Sequence, residues 1–426
     1  MKFKNKIILI LIGALIYRLV LSFVTWHPDL NNHVDWGIRF WEYSAKKFFA
    51  PESNVWSYTW PNQPPITILT FALIKKLYDG LYSFFWYLNV NIPLFPSNFM
   101  FFLEKNLYQG LLKLPSILSD LGIGYLIYKI FKEEKKEKLG LIASLVYLFN
   151  PVIWYNSSLW GQTDAYINFF ALLAFYLLFK KKIVPATLSL VISLYIKASL
   201  LIFVPIFLVV ALKQKFELKK YLYSFLVSIV FVGLIAFIFS NGNPYVWLFN
   251  LYQKKIFGQQ LQLITANAFN VWSLLTGIHE RSHSLMFGPA SYQVWGLLLF
   301  IVSYIPIFIL LFKKHDLKNV FYSLAVCSFS SFMLLTNMHE RYLFPFFIYS
   351  TIVIFWDRKL IPLYIFVSIV NILNLYNFWW FPKIPLLVNL LSFSDRLMPR
   401  ILGFGSFVAF ILFYIRYLRL FKLKKL

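Results

Sequence analysis

Apolar runs separated by short lysine clusters set the pattern of this chain. A helix needs roughly 17 to 25 mostly apolar residues to cross a hydrocarbon core, and lysine-rich loops stay on the cytoplasmic side. Twelve runs can be laid out so that every lysine cluster falls on one face: 7–26, 113–131, 139–156, 164–179, 183–196, 199–212, 220–240, 291–312, 318–337, 342–356, 360–380 and 401–420. The fifth and sixth are short and broken at Lys197, so a re-entrant course is open to them. The expected fold is all-α, a polytopic transmembrane helical bundle of about twelve spans forming one integral membrane domain over 1–426.

This layout gives the inner face Lys132, Lys135, Lys136, Lys138, the lysines at 180–182, Lys213, Lys215, Lys219, Lys220, Lys313, Lys314, Lys422, Lys424 and Lys425, and makes both termini cytoplasmic. The outer face receives Asp29, Asp35, Glu42, Glu52, Asp164, Glu280, Glu340 and Asp395, with every tryptophan except Trp356. An ordinary aromatic belt populates both interfaces, so this one-sidedness points to a polar, ring-shaped substrate handled outside; a thick outer belt is the other reading. Residues 27–112 form a long first outer loop and 241–290 a second. Within the first, Pro64 to Leu88 is apolar but interrupted by Lys75, Lys76 and Asp79. Letting it cross would place the lysines at 132–138 outside, so a helix along the membrane surface is expected.

Composition agrees with the pattern. Sixty per cent hydrophobic residues, 14% charged residues and a mean hydropathy of +0.66 exceed what one soluble core can hide. The first run lacks a small-residue cleavage site and contains Arg18, so it reads as an uncleaved span rather than a secretory signal. The net charge of +24 lies in clusters between apolar runs and not on one face, which makes it a topology signal and argues against a nucleic-acid partner. The single cysteine, Cys327, rules out a disulfide or a cysteine metal site within one chain.

Three polar tracts land on the outer face at span ends: HPDLNNHVD at 27–35, WGQTD at 160–164 and MHER at 338–341. A carboxylate at a low-dielectric boundary is suited to act as a general base, and Asp29 is the candidate; its alternative role is a helix cap. His33, four residues on, shares its face if the tract is helical, whereas Asp35 does not. His27, Asp29, His33 and Asp35 together form a less favoured divalent-metal set, so no metal or other cofactor is expected. In the second tract Trp160, Gln162 and Asp164 stand at a helix start, where Asp164 also complements the dipole. His339, Glu340 and Arg341 are consecutive, and a structural Glu–Arg pair is the alternative there. Arg341 and Lys197 suit phosphate, the one as a planar fork and the other as a point charge.

In order and spacing, HPDLNNHVDW after the first run, QPPITIL at 63–69, KLPSILSDLGIGYLIY at 113–128, NPVIWYNSSLWGQTDA at 150–165 and MHERYLFPF at 338–346 resemble the GT-C fold glycosyltransferases. The nearest likeness is to bacterial and archaeal proteins related to the GPI mannosyltransferases, with a more distant similarity to dolichyl-phosphate-glucose glucosyltransferases. The resemblance implies a multi-pass protein of a prokaryotic plasma membrane whose active site faces outside. It implies an inverting hexosyltransferase that moves a sugar, mannose by preference, from undecaprenyl or dolichyl phosphate to a hydroxyl of a glycan, lipid or protein. The catalytic aspartate of the family's first outer loop falls at Asp29, with Asp35, His33, Trp36, Trp160, Gln162, Asp164, His339 and Glu340 supporting and Arg341 and Lys197 on the donor phosphate. QPP stands where Tyr-Pro-Pro is usual, which bears on the acceptor more than on the reaction. The competing classes are a transporter or flippase and a polymerase of lipid-linked glycans. Transporters place ionisable residues near the midplane, whereas Arg18 and Asp120 are the ionisable residues read within spans here.

Overall fold

A computed structural model of the chain describes residues 3–50, 53, 60–258 and 261–421; Glu52 and the lysines at 422, 424 and 425 lie outside the described residues. The helices run α1 (Phe3–Ser22), α2 (Leu30–Tyr43), α3 (Pro65–Asn91), α4 (Asn98–Phe102), α5 (Tyr108–Glu133), α6 (Glu137–Leu148), α7 (Pro151–Trp154), α8 (Asp164–Phe179), α9 (Ile183–Ile196) and α10 (Val204–Lys213). They continue with α11 (Leu218–Phe239), α12 (Pro244–Leu251), α13 (Val271–Thr276), α14 (Tyr292–Lys313), α15 (Leu317–Leu334), α16 (Phe344–Trp356), α17 (Ile361–Phe378) and α18 (Pro385–Leu418). A two-stranded hairpin, β1 (Met286–Phe287) with β2 (Ala290–Ser291), is the only sheet among the described residues.

The all-helical expectation holds, and fewer helices than apolar runs are long enough by themselves to cross a membrane. Among the described residues seven helices are long and apolar enough to cross a membrane, or eight if Glu137–Leu148 and Pro151–Trp160, bent by 49°, form one crossing. The remaining predicted runs fall on the shorter apolar helices Asp164–Phe179, Ile183–Ile196, Ala198–Lys213 and Phe344–Trp356. Charge placement shortens them: Asp164, the lysines at 180–182 and Lys197 bracket α8 and α9. The 14 residues of α9 rise only about 21 Å against a core of about 30 Å. The break expected at Lys197 is present, since that residue leaves α9 in an extended conformation (φ −157°, ψ 131°). The run at 64–88, expected as a surface helix, forms α3, which has 27 residues but is not among the helices both long and apolar enough to cross.

The chain, read from sequence as one domain, divides into two compact units. The first comprises residues 1–126, 154–200 and 217–260. In it α2 buries Leu30, His33, Trp36, Gly37 and Phe40, the i, i+3, i+4, i+7 stripe of an amphipathic helix. That stripe packs on Ile68, Phe71 and Ala72 of α3. Gly37 lets the helices touch, for a Cβ there would stand 2.8 Å from the Phe71 carbonyl oxygen. Arg18 of α1 donates from Nε to Asp120 Oδ2 of α5 at 3.2 Å, and both side chains are fully buried. Ser157 Oγ donates to the same carboxylate oxygen at 2.6 Å.

The second unit comprises 127–153, 201–216 and 261–426. Its centre is α15, buried from Asn319 to Leu334 and packed among α10, α14, α16 and α18. An extended segment at 263–267 runs beside 337–339 through isolated bridges, with Ala266 N donating to Met338 O at 2.9 Å.

Candidate active site

Asp29 stands at the N-cap position of α2 but makes no capping bond with its side chain, so the helix-cap role is not what the structure shows. Its carboxylate turns toward the π-helix Tyr155–Trp160 and the loop after it. Oδ2 accepts from Trp160 Nε1 at 3.1 Å and from Gln162 Nε2 at 2.5 Å. Two donors on one oxygen fix the plane of the carboxylate, while 36% of the side chain remains exposed. His27, nearly buried, accepts the Asp29 backbone N–H on Nδ1 at 3.0 Å and packs its ring 4.5 Å from that of Trp160. Those two contacts make His27 a packing and orienting group here.

The WGQTD tract reaches Asp29 because the chain turns sharply at Gly161, whose φ of +87° is left-handed. The Gly161 and Gln162 amides both donate to Asn156 O at 3.1 Å, and Ser116 Oγ of α5 donates to Gln162 O at 2.5 Å. Asp164, two residues on and buried, faces differently. Its Oδ2 accepts from Asn156 Nδ2 at 3.1 Å, and its Oδ1 lies 3.7 Å from Lys197 Nζ. Lys197 is placed in turn by the QPPIT tract, since Thr67 Oγ1 donates to Ile196 O at 2.6 Å. Asn156 therefore joins two pairs, with its carbonyl holding the loop that grips Asp29 and its amide holding Asp164.

No family model and no curated protein matches this sequence.

The other candidates of the first tract are held by other partners. His33 stacks on Phe71 at 4.0 Å, Trp36 lies in the α2–α3 core, and Asp35 accepts from Arg39 Nε at 3.2 Å. Burial works against the Arg39 charge, but the bond and attraction to Asp35, with help from Tyr43 and Glu42, outweigh it and raise its pKa. Asp35 thus serves the helix surface. No group of three or more His, Cys, Asp or Glu suited to a metal occurs among the described residues.

The third tract belongs to the second unit. Arg341 Nη1 donates to Glu340 Oε1 at 2.8 Å, the Glu–Arg pair anticipated as the structural alternative. Glu340 is fully buried, and His339 Nδ1 lies 3.9 Å from its Oε2. Three asparagines of α17, spaced by three, hold the surrounding backbone. Asn371 Nδ2 donates to Glu340 O at 3.1 Å, Asn374 Nδ2 to Asn267 O at 2.6 Å, and Asn377 Nδ2 to Asn267 Oδ1 at 2.8 Å.

Sequence reasoning missed these asparagines, and also Asn156, Ser116 and Lys113. Their signal was present: NILNLYN repeats a polar amide every three residues inside an apolar run, where each amide needs a partner.

Proposed function

We propose that the protein is an inverting glycosyltransferase that moves a hexose, mannose by preference, from a polyprenyl-phosphate donor to a hydroxyl acceptor at the outer face of the membrane. The observation that carries this reading is the Asp29 carboxylate, oriented by Trp160 and Gln162 and still more than a third exposed. Asp29 takes the acceptor proton as the acceptor oxygen attacks the anomeric carbon in line; the bond to phosphate breaks and the polyprenyl phosphate leaves with its electrons. A phosphate leaves without protonation, so one well-placed carboxylate suffices and no cofactor is required. Cationic groups stabilise the departing charge. Lys197 has that assignment as a point charge beside Asp164, whose Oδ1 lies 3.7 Å from its Nζ. Arg341 keeps a donor-binding role from the MHER tract of the sequence alone, and Glu340 holds its guanidinium.

The reading includes twelve crossings, with the four shorter apolar helices as spans shielded by neighbouring helices or met by local thinning of the bilayer, both termini inside, and membrane-surface helices in the first outer loop. The protein would then work in a prokaryotic plasma membrane on a lipid-linked donor. The test is Asp29→Asn in purified protein with polyprenyl phosphate-mannose and extracted membrane acceptors. Glycosidic product is expected from the parent protein and reduced on the order of 100-fold or more in the variant, as for a lost general base. Unchanged turnover in the folded variant removes the proposed base.

A further inference from the structure

Lys113 is fully buried on α5, and among the described residues no carboxylate shares a bond or ion pair with it. Burying an ammonium is costly unless each of its protons finds an acceptor. Here they do: Nζ donates to Ser22 O at 2.9 Å, to Thr25 O at 2.8 Å and to Thr25 Oγ1 at 3.0 Å. Ser22 is the last residue of α1, so the charge also sits at the negative end of that helix. Thr25 passes the contact on, because its own hydroxyl proton goes to Leu159 O at 2.8 Å, one residue before Trp160. The lysine stem makes a third contact: a Cβ on Gly161 would lie 3.0 Å from Lys113 Cγ and 2.7 Å from Leu30 Cδ2. One side chain thus touches the segment that leads into Asp29 and the turn that carries Trp160 and Gln162.

We infer that Lys113 is a positioning residue for Asp29, setting through Thr25 the register between the segment 22–29 and the Trp160–Gln162 grip. This rests on the glycosyltransferase reading for its effect on turnover, but not for its effect on geometry. The contacts run to the Ser22 and Thr25 carbonyls on one side and, through the Thr25 hydroxyl and the lysine stem, to Leu159 and Gly161, which flank Trp160, on the other. Loss of the ammonium therefore lets Asp29 and Trp160 separate while leaving the donor-phosphate cations in place.

The experiment uses full-length protein in detergent micelles, labelled with 5-fluorotryptophan. The Trp160 fluorine resonance is assigned by Trp160→Phe, and the Asp29→Asn variant gives its position when the carboxylate partner is altered. Lys113→Met is expected to move the Trp160 resonance toward that position without substrate. It is also expected to lower kcat on the order of 100-fold, as for a misplacement of about 1 Å, with KM for polyprenyl phosphate-mannose within about twofold. Thr25→Val keeps the lysine and both carbonyl bonds and removes the relay to Leu159, so it decides the matter if Lys113→Met does not fold. Thr25→Ser keeps the hydroxyl and is expected to restore the resonance and the turnover lost in Thr25→Val. A Trp160 resonance unmoved in folded Lys113→Met, or in folded Thr25→Val, overturns the assignment. A resonance shifted in Lys113→Met, with no transferase activity in the parent protein, supports the clamp and removes the reaction.

Discussion

Replacing Gly161 by alanine places one methyl group where the site has least room. The residue adopts φ +87°, a region that costs an L-amino acid about 1–2 kcal/mol. Its new Cβ would meet Leu30 Cδ2 at 2.7 Å and Lys113 Cγ at 3.0 Å, well inside the usual separation of apolar carbons. Overpacking of this kind adds about 1–3 kcal/mol, so the expected loss is about 2–5 kcal/mol in all. Part can be relieved by shortening the obstacle. Leu30→Ala alone leaves a cavity and costs about 2–5 kcal/mol, but in the double variant the alanine methyl has space. The double variant should therefore be more stable than the sum of the singles by about 0.5–3 kcal/mol. Reversible denaturation of the four proteins in mixed micelles measures the cycle. The same cycle read by turnover should show Gly161→Ala impaired more than its stability loss explains, because Gln162 moves with the turn. Additive stabilities within error, or a Gly161→Ala protein with the stability of its parent, would refute a left-handed turn wedged between Leu30 and Lys113.

The remaining expectations concern other parts of the molecule. Arg18→Met takes the guanidinium from the buried Asp120 carboxylate, leaving it the Ser157 hydroxyl, and should cost about 3–5 kcal/mol; adding Asp120→Leu should recover part of it, and equal losses in denaturation would count against a structural pair. Asn374→Leu removes the partners of Asn267 O and Phe269 N and should cost about 2–6 kcal/mol in the same assay, whereas a neutral result would mean those backbone groups are solvated. Arg341→Ala should raise KM for the polyprenyl donor far more than for the acceptor; equal changes would leave the Glu340 pair as its whole role. Turnover after exhaustive chelation should stay at the level of untreated protein, and a loss restored by a divalent ion would bring back a metal for His27 and its neighbours.

Much of the fold was legible because apolar periodicity and lysine placement act over whole helices, and each predicted run does fall on a helical segment. What could not be read was which of them are long enough to cross, since α8 and α9 owe their ends to single charges such as Asp164 and Lys197. For the site, the tracts at 27–35 and 160–164 were visible as polar residues in expensive places, and Asp29 does meet Trp160 and Gln162. Its partner residues were harder to rank. WGQTD reads as one unit, yet the turn at Gly161 sends Gln162 to Asp29 and leaves Asp164 facing Lys197. Lys113 looked like a boundary lysine of an apolar run and is instead fully buried, because its acceptors are carbonyls about 90 residues earlier in the chain.

The π-helix Tyr155–Trp160 gives the site a dependence on length as well as on chemistry. A π-turn accommodates about one residue more than an α-turn, and each residue advances a helix by about 100°. Removing one residue between Asn156 and Trp160 would leave a sequence still apolar, still helical and still carrying every side chain needed. The indole would then point about a quarter-turn away from Asp29. Alignments of related chains that close this stretch by a single gap would conceal that difference, so the residue count across 155–160 is as diagnostic of an intact site as the identity of Asp29.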